Sequence, residues 1–137
     1  MPRKQIVRLS KLELRVMESL WSLGSGSVRE IQEGLPEKKG PAYTTIQTIV
    51  YRLERKGAVR RVKKIGNAHI FEPIVTRETV HGTLIGDFLD LLGGSSRPLM
   101  AHLVETRKLT REDLRALEAA LADVDNQTGP DNPRRKQ

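Results

Sequence analysis

The chain contains no cysteine. That excludes disulfides, thiol chemistry and cysteine-based metal or redox sensing. No run approaches the roughly 18 apolar residues of a membrane-spanning helix. The N-terminal Met-Pro-Arg-Lys is not followed by the apolar core of a secretory signal. These absences point to a cytoplasmic protein without membrane insertion. Three histidines are present, His69, His81 and His102. They fall on a strand and two separate helical segments, without the paired spacing of a metal site. There is no nucleophile-elbow serine, no P-loop and no dinucleotide glycine pattern. The carboxylates fall mostly in helix caps or on helix surfaces. Nothing here supports an enzyme, a metal site or a cofactor.

What the chain does have is positive charge in one place. The formal net charge is +7 over 137 residues, with a pI near 10.1. Residues 1–75 carry 15 Lys and Arg against 7 Asp and Glu. Residues 76–125 carry 6 against 9. A basic surplus confined to the first part of a small protein favours a polyanionic partner for that part.

The same part reads as three helices and a hairpin. Ser10 and Glu13 form an S-x-x-E capping box ahead of an apolar face on Leu12, Val16, Leu20 and Leu23, widened by Leu14, Met17 and Trp21. Gly24 stops that helix. Ser27 and Glu30 repeat the box for a short helix with Val28, Ile31 and Leu35 apolar, ended by Gly34 and Pro36. A third helix runs from about 42 to 56, where Ile46, Ile49, Val50 and Leu53 form one buried stripe, and Gly57 caps it. The period then changes to two. Val59 and Val62 bracket Arg60 and Arg61, Gly66-Asn67 marks a turn, and residues 69–75 return as a second strand. This order predicts a mainly α fold with a small β wing, a winged helix-turn-helix domain over residues 1–75.

Residues 76–125 read as a helical region. Val80, Leu84, Ile85, Phe88, Leu89, Leu91 and Leu92 make a wide apolar stripe up to Gly93-Gly94. A helix follows near 98–106. Thr110 and Asp113 then cap a last helix, whose Leu114, Leu117, Leu121 and Val124 have a/d spacing. So much leucine on so short a segment predicts self-association, with Leu84, Phe88, Leu92, Leu114, Leu117 and Leu121 as dimerisation residues. The alternative is a helical extension packed on the first domain. Residues 126–137 read as a disordered basic tail.

Candidate contacts to double-stranded DNA follow from the third helix and the hairpin. Thr44, Thr45, Gln47, Thr48 and Arg52 lie outside the apolar stripe, most of them in the N-terminal half that enters the major groove in helix-turn-helix proteins. Gln can contact adenine edges, and Thr can reach a base, a phosphate or a thymine methyl. Arg61, Lys63, Lys64 and Asn67 on the hairpin, and Lys38 and Lys39 before the helix, suit phosphates beside the groove.

The stretches L-S-K-L-E-L-R-V-M-E-S-L-W (9–21), V-R-E-I (28–31), A-Y-T-T-I-Q-T-I-V-Y-R-L-E-R-K-G (42–57) and F-E-P-I-V (71–75) together resemble the penicillinase-repressor family, the BlaI/MecI/CopY type. The resemblance spans about residues 8–125. It implies a winged-helix domain followed by a helical dimerisation domain, in a repressor that binds palindromic operators as a homodimer. It implies DNA contact by Thr44, Thr45, Gln47 and Thr48, with Lys63, Lys64 and Asn67 in the wing. In the β-lactam branch, a membrane metalloprotease receptor or its downstream protease triggers cleavage in the C-terminal domain. By that resemblance the cleavage site here is His102–Leu103, with His102 replacing the more usual Asn. The copper-responsive branch carries a cysteine motif absent from this chain.

The function expected is a repressor acting on DNA as a homodimer. A one-component regulator sensing a small molecule and a non-specific nucleic-acid-binding protein stand as alternatives.

Overall fold

The computed structural model describes residues 7–37 and 39–128. The elements are α1 (Lys11–Leu23), α2 (Val28–Glu33), α3 (Tyr43–Lys56), β1 (Val59–Ile65), β2 (Ala68–Pro73), α4 (Arg77–Leu91), α5 (Arg97–Glu105) and α6 (Arg111–Thr128). The chain divides into two compact units, and the division falls inside α4, after Phe88. The sequence pattern puts the change at residue 76. The difference arises because most of α4 is held by α1 and the residues before it, through Glu18 with Arg77 and His81 and through Arg8 with Asp87.

In the first unit, both predicted capping boxes form. The Ser10 amide donates to Glu13 Oε1 (2.8 Å) and the Glu13 amide to Ser10 Oγ (3.2 Å). Ser27 and Glu30 do the same at 2.9 and 3.2 Å. Each box satisfies two amides that a helix start would otherwise leave open. The core is built by Val16, Met17 and Leu20 of α1, Val28 and Ile31 of α2, Leu35, the stripe Ile46–Ile49–Val50–Leu53 of α3, and Phe71 of β2. Leu23 departs from the predicted face and is exposed, because α1 ends beside it at Gly24. Ser19 is buried instead, and its hydroxyl donates to Ile31 O (2.8 Å). This brings α2 so close that a Cβ on Gly34 would lie 2.4 Å from Ser19 Oγ.

The hairpin is antiparallel, with Val59 opposite Pro73, Arg61 opposite Phe71 and Lys64 opposite His69. A bulge lies between Arg61 and Lys63. Val62 is the residue of that bulge without a cross-strand partner and is exposed, whereas Val59 is buried. A two-stranded hairpin alone is marginal in water. Here the Gly26 and Phe71 amides and carbonyls exchange two hydrogen bonds of 2.9 Å, adding one residue pair to the sheet from the α1–α2 turn. Ala58 O accepts from Ile74 N (2.8 Å).

After the wing, Trp21 Nε1 donates to Val75 O (3.0 Å). Glu18 of α1 meets two side chains of α4, Arg77 Nε at 3.1 Å and His81 Nε2 at 2.7 Å. Arg77 lies over the Trp21 ring, 5.6 Å from its centroid, and His81 meets that ring edge-on at 6.1 Å. Val80 is buried beneath them. Arg8 pairs with Asp87 (2.8 Å), which holds the Asp87 carboxyl below its usual range.

In the second unit, Thr110 and Asp113 cap α6 reciprocally, at 2.9 and 3.1 Å. The helix continues to Thr128. Residues 126–128 are therefore its last turn and not the start of a tail, since the amphipathic helix carries its own hydrogen bonding past Val124. Residues 129–137 of the expected tail lie outside the described residues. Among the described residues, no helix is long and apolar enough to cross a membrane.

Candidate nucleic-acid interface

Burial of the α3 stripe dictates what the helix shows to solvent. Thr44, Thr45, Thr48 and Arg52 are exposed and Gln47 is half-buried. Ala42 precedes the helix and supplies no side-chain cap. The first amides of α3 are thus left without a side-chain acceptor, in a position suited to an anion. Thr48 Oγ1 donates to Thr44 O (3.0 Å). That bond uses the hydroxyl proton and leaves oxygen lone pairs and the methyl facing outward. Gln47 Nε2 donates to Tyr51 Oη (3.2 Å), which leaves the amide oxygen and one N–H to bond elsewhere.

The far end of α3 is anchored to α1. Lys56 Nζ lies 2.7 Å from Glu13 Oε1 and 3.1 Å from Arg8 O. Glu13 is buried, and burial pushes its carboxyl up. The Lys56 ammonium and the Ser10 amide outweigh that and hold it below its ordinary range.

The cations sort into two groups. Arg8, Arg15, Lys56, Arg60, Arg61 and Arg77 are paired with carboxylates. Among the described residues of the first unit, Arg29, Lys39, Arg52, Arg55, Lys63 and Lys64 have no carboxylate partner, and Lys11 is the other such cation. The six lie on α2, on the turn before α3, on α3 itself and on β1. Lys38, the neighbour of Lys39 in sequence, lies outside the described residues.

On the wing, Lys63, Lys64 and Asn67 are exposed, and Gly66 takes φ +61° at the tip. Arg61 also has partners within the protein. Its Nε donates to Glu54 Oε2 of α3 (2.9 Å), and its guanidinium lies over the Tyr51 and Phe71 rings, 5.1 and 5.5 Å from their centroids. Opposite residues of an antiparallel pair share a face, so Lys64 and His69 lie on the face of Arg61 and Phe71.

Between α3 and the wing runs a groove of about 200 Å³, bordered by Arg29, Tyr43, Gln47, Tyr51, Asn67 and His69. Arg29 and Tyr43 are residues that sequence reasoning passed over. Arg29 lies 5.4 Å from the Tyr43 ring centroid. The available signal was its position in V-R-E-I, one residue after buried Val28 and two before buried Ile31, which puts it on the outer face of α2.

The residues expected at a dimer interface are open to solvent. Leu84 is 49% exposed, Phe88 45%, Leu114 43%, Leu117 50% and Leu121 61%. Leu92 is half-buried. His102 and Leu103 lie inside α5, where His102 O accepts from both the Thr106 amide (2.9 Å) and its hydroxyl (2.8 Å).

A family model for the penicillinase repressor matches residues 9–123. The chain is similar to the transcriptional regulator BlaI of Mycobacterium tuberculosis, 32% identical over 124 residues that cover 88% of each chain. It is similar to the penicillinase repressor of Staphylococcus aureus, 26% identical over 90% of this chain and 98% of that one. Among solved structures, the DNA-binding domain of the repressor BlaI is 30% identical and covers 56% of this chain and 93% of its own, with a TM-score of 0.48. On the family match and the mycobacterial relative together, the chain belongs to the penicillinase repressor family.

Proposed function

We propose that this protein is a DNA-binding transcriptional repressor that occupies a palindromic operator as a homodimer. The observation that carries the reading is the distribution of cations. Those the fold uses internally are paired, and six of those it leaves free lie on α2, the turn before α3, α3 and β1. Phosphate neutralisation needs cations that are not already committed to carboxylates. Thr44, Thr45, Gln47 and Thr48 on α3 read base edges in the major groove. Lys39, Arg52, Lys63, Lys64 and Asn67 hold the phosphates on either side.

The second copy covers the exposed apolar residues of α4 and α6, Leu84, Phe88, Leu114, Leu117 and Leu121. A partly exposed Leu gains on the order of 1 kcal/mol when buried. Five such positions in each protomer are enough to favour pairing. Each winged domain then takes one half-site of the palindrome. Cleavage between His102 and Leu103 would detach α6 and relieve repression. The responsible protease must first unwind α5, because the bond lies within a helix. A ligand-sensing mode has less support. Small-molecule sites run to roughly 300–1,000 Å³. The apolar cleft lined by Val7, Leu14, Val80 and Leu84 holds about 50 Å³, and the larger hollow of about 490 Å³ beside Gln32, Glu37 and Lys39 is open and mostly polar.

Titrations on an operator duplex, selected by the protein from a random pool, and on a scrambled duplex test the proposal at several salt concentrations. Thr48→Ala or Gln47→Ala should cost ~1–3 kcal/mol on the operator alone. Lys63→Ala with Lys64→Ala should weaken both duplexes alike and flatten the salt slope by about one unit per lost phosphate. If both variant types act equally on both duplexes, α3 is not a reading helix.

A further inference from the structure

We infer that Arg61 is a positioning residue for base reading, acting through Tyr51 on Gln47, and not a phosphate contact. The inference rests on the DNA-reading role proposed above. Four observations converge on it. The Arg61 guanidinium is fixed at one edge by Glu54, at 2.9 Å. Its face covers Tyr51 of α3 and Phe71 of β2. Phe71 is 1% exposed, and its backbone is tied to Gly26 by two hydrogen bonds, so that side of the stack is rigid. Tyr51 Oη in turn accepts from Gln47 Nε2, at 3.2 Å.

The chain of contact therefore runs from the bridged strand to Arg61, to Tyr51, to Gln47. Gln47 is one turn before Tyr51, on the half of the helix that meets base edges. An amide that reads adenine must present its oxygen and nitrogen in one fixed orientation. Alone, a Gln side chain samples many rotamers, and fixing it costs entropy at each binding event. The bond to Tyr51 removes part of that freedom in advance. Tyr51 is 36% exposed and is held from two sides, by the Phe71 ring at 6.5 Å between centroids and by the guanidinium over its own ring. Arg is suited to this because its planar group stacks and forks at once, whereas Lys keeps the charge but does neither.

The phosphate-contact alternative makes opposite forecasts. It needs the Arg61 charge to face DNA, yet Glu54 already accepts from it. It also predicts that Lys can substitute.

The test compares the selected operator with scrambled DNA, across salt, for wild type, Arg61→Lys and Tyr51→Phe. Tyr51→Phe keeps the ring under Arg61 and deletes only the oxygen that holds Gln47. It should lower the preference for operator over scrambled DNA about tenfold. Binding to scrambled DNA, the salt slope and the thermal midpoint should not move. Arg61→Lys should reduce preference to a similar extent with the salt slope unchanged. A Gln47→Ala/Tyr51→Phe double variant should be no worse than Gln47→Ala alone. Full operator preference in Tyr51→Phe overturns the inference while leaving the repressor reading intact. So does an Arg61→Lys protein indistinguishable from wild type. A wild-type protein that selects no consensus from the pool overturns both.

Discussion

The buried carboxylate of Glu13 offers the sharpest check on how α3 is held. Its side chain is 2% exposed, and that of Lys56 is 36% exposed. Glu13 Oε1 receives Lys56 Nζ at 2.7 Å and the Ser10 amide at 2.8 Å, while Oε2 is buried with no partner. Lys56→Met would keep the aliphatic stem and leave a carboxylate buried with one amide. Breaking a fully buried pair costs about 3–5 kcal/mol. The Lys56 end is open to water, so about 2–3 kcal/mol is the reasonable figure here. For a unit of this size that lowers the melting midpoint by roughly 10–20 °C. The pH dependence fixes the sign. In wild type the Glu13 carboxyl sits below its usual range, so its stabilisation is complete above the unfolded value of about 4.3 and disappears as pH falls through the folded one. In Lys56→Met, burial acts against little opposition and raises the carboxyl. Protonation then relieves the variant, and the gap to wild type narrows toward pH 4. Glu13→Gln added to Lys56→Met should recover most of the loss at pH 7. Urea unfolding at pH 4 and pH 7, at one protein concentration, measures all of this. A Lys56→Met protein within ~0.5 kcal/mol of wild type at pH 7, or equally displaced at both pH values, would refute the reasoning.

Three further outcomes are expected. Leu117→Asp with Leu121→Asp should give monomers in analytical ultracentrifugation, because two carboxylates would have to be buried unpaired; a wild-type chain that is itself monomeric at micromolar concentration rejects the dimer. A chain ending at His102 lacks α6 and should lose at least ~100-fold in operator affinity with its reading residues untouched. Equal affinity and unchanged dimerisation in the fragment exclude derepression by cutting there. Gly34→Ala should destabilise by ~1–2 kcal/mol as its Cβ drives Ser19 Oγ from Ile31 O, and Ser19→Ala should absorb part of that cost; additive losses would show that the two sites do not touch.

The first unit was legible because local rules and packing agree there. The S-x-x-E boxes at Ser10 and Ser27 form as their spacing dictates, and the α3 stripe is buried at all four positions. What escaped the sequence is long-range. Nothing local marks Gly26 as a strand partner of Phe71, or Glu13 as the buried mate of Lys56, since each pair is joined only once three helices have packed. The same limit explains Arg61. Charge and period place it on the wing, but its rings and its carboxylate come from α3 and β2. The bulge was unreadable for a different reason: it leaves Val62 without a cross-strand partner and no trace in residue type.

The lone tryptophan has a consequence for anyone watching this protein with light. Trp21 is the single indole in the chain. Its N–H is bonded to Val75, its edge meets His81, and Arg77 lies over its face. All three neighbours belong to the passage from the wing into α4, and none to the reading surface of α3. Intrinsic emission is therefore an unlabelled readout of whether α4 is seated on α1. A spectral change on adding DNA reports that occupancy is felt at this junction. A silent titration with full binding reports that the winged domain engages DNA without disturbing it.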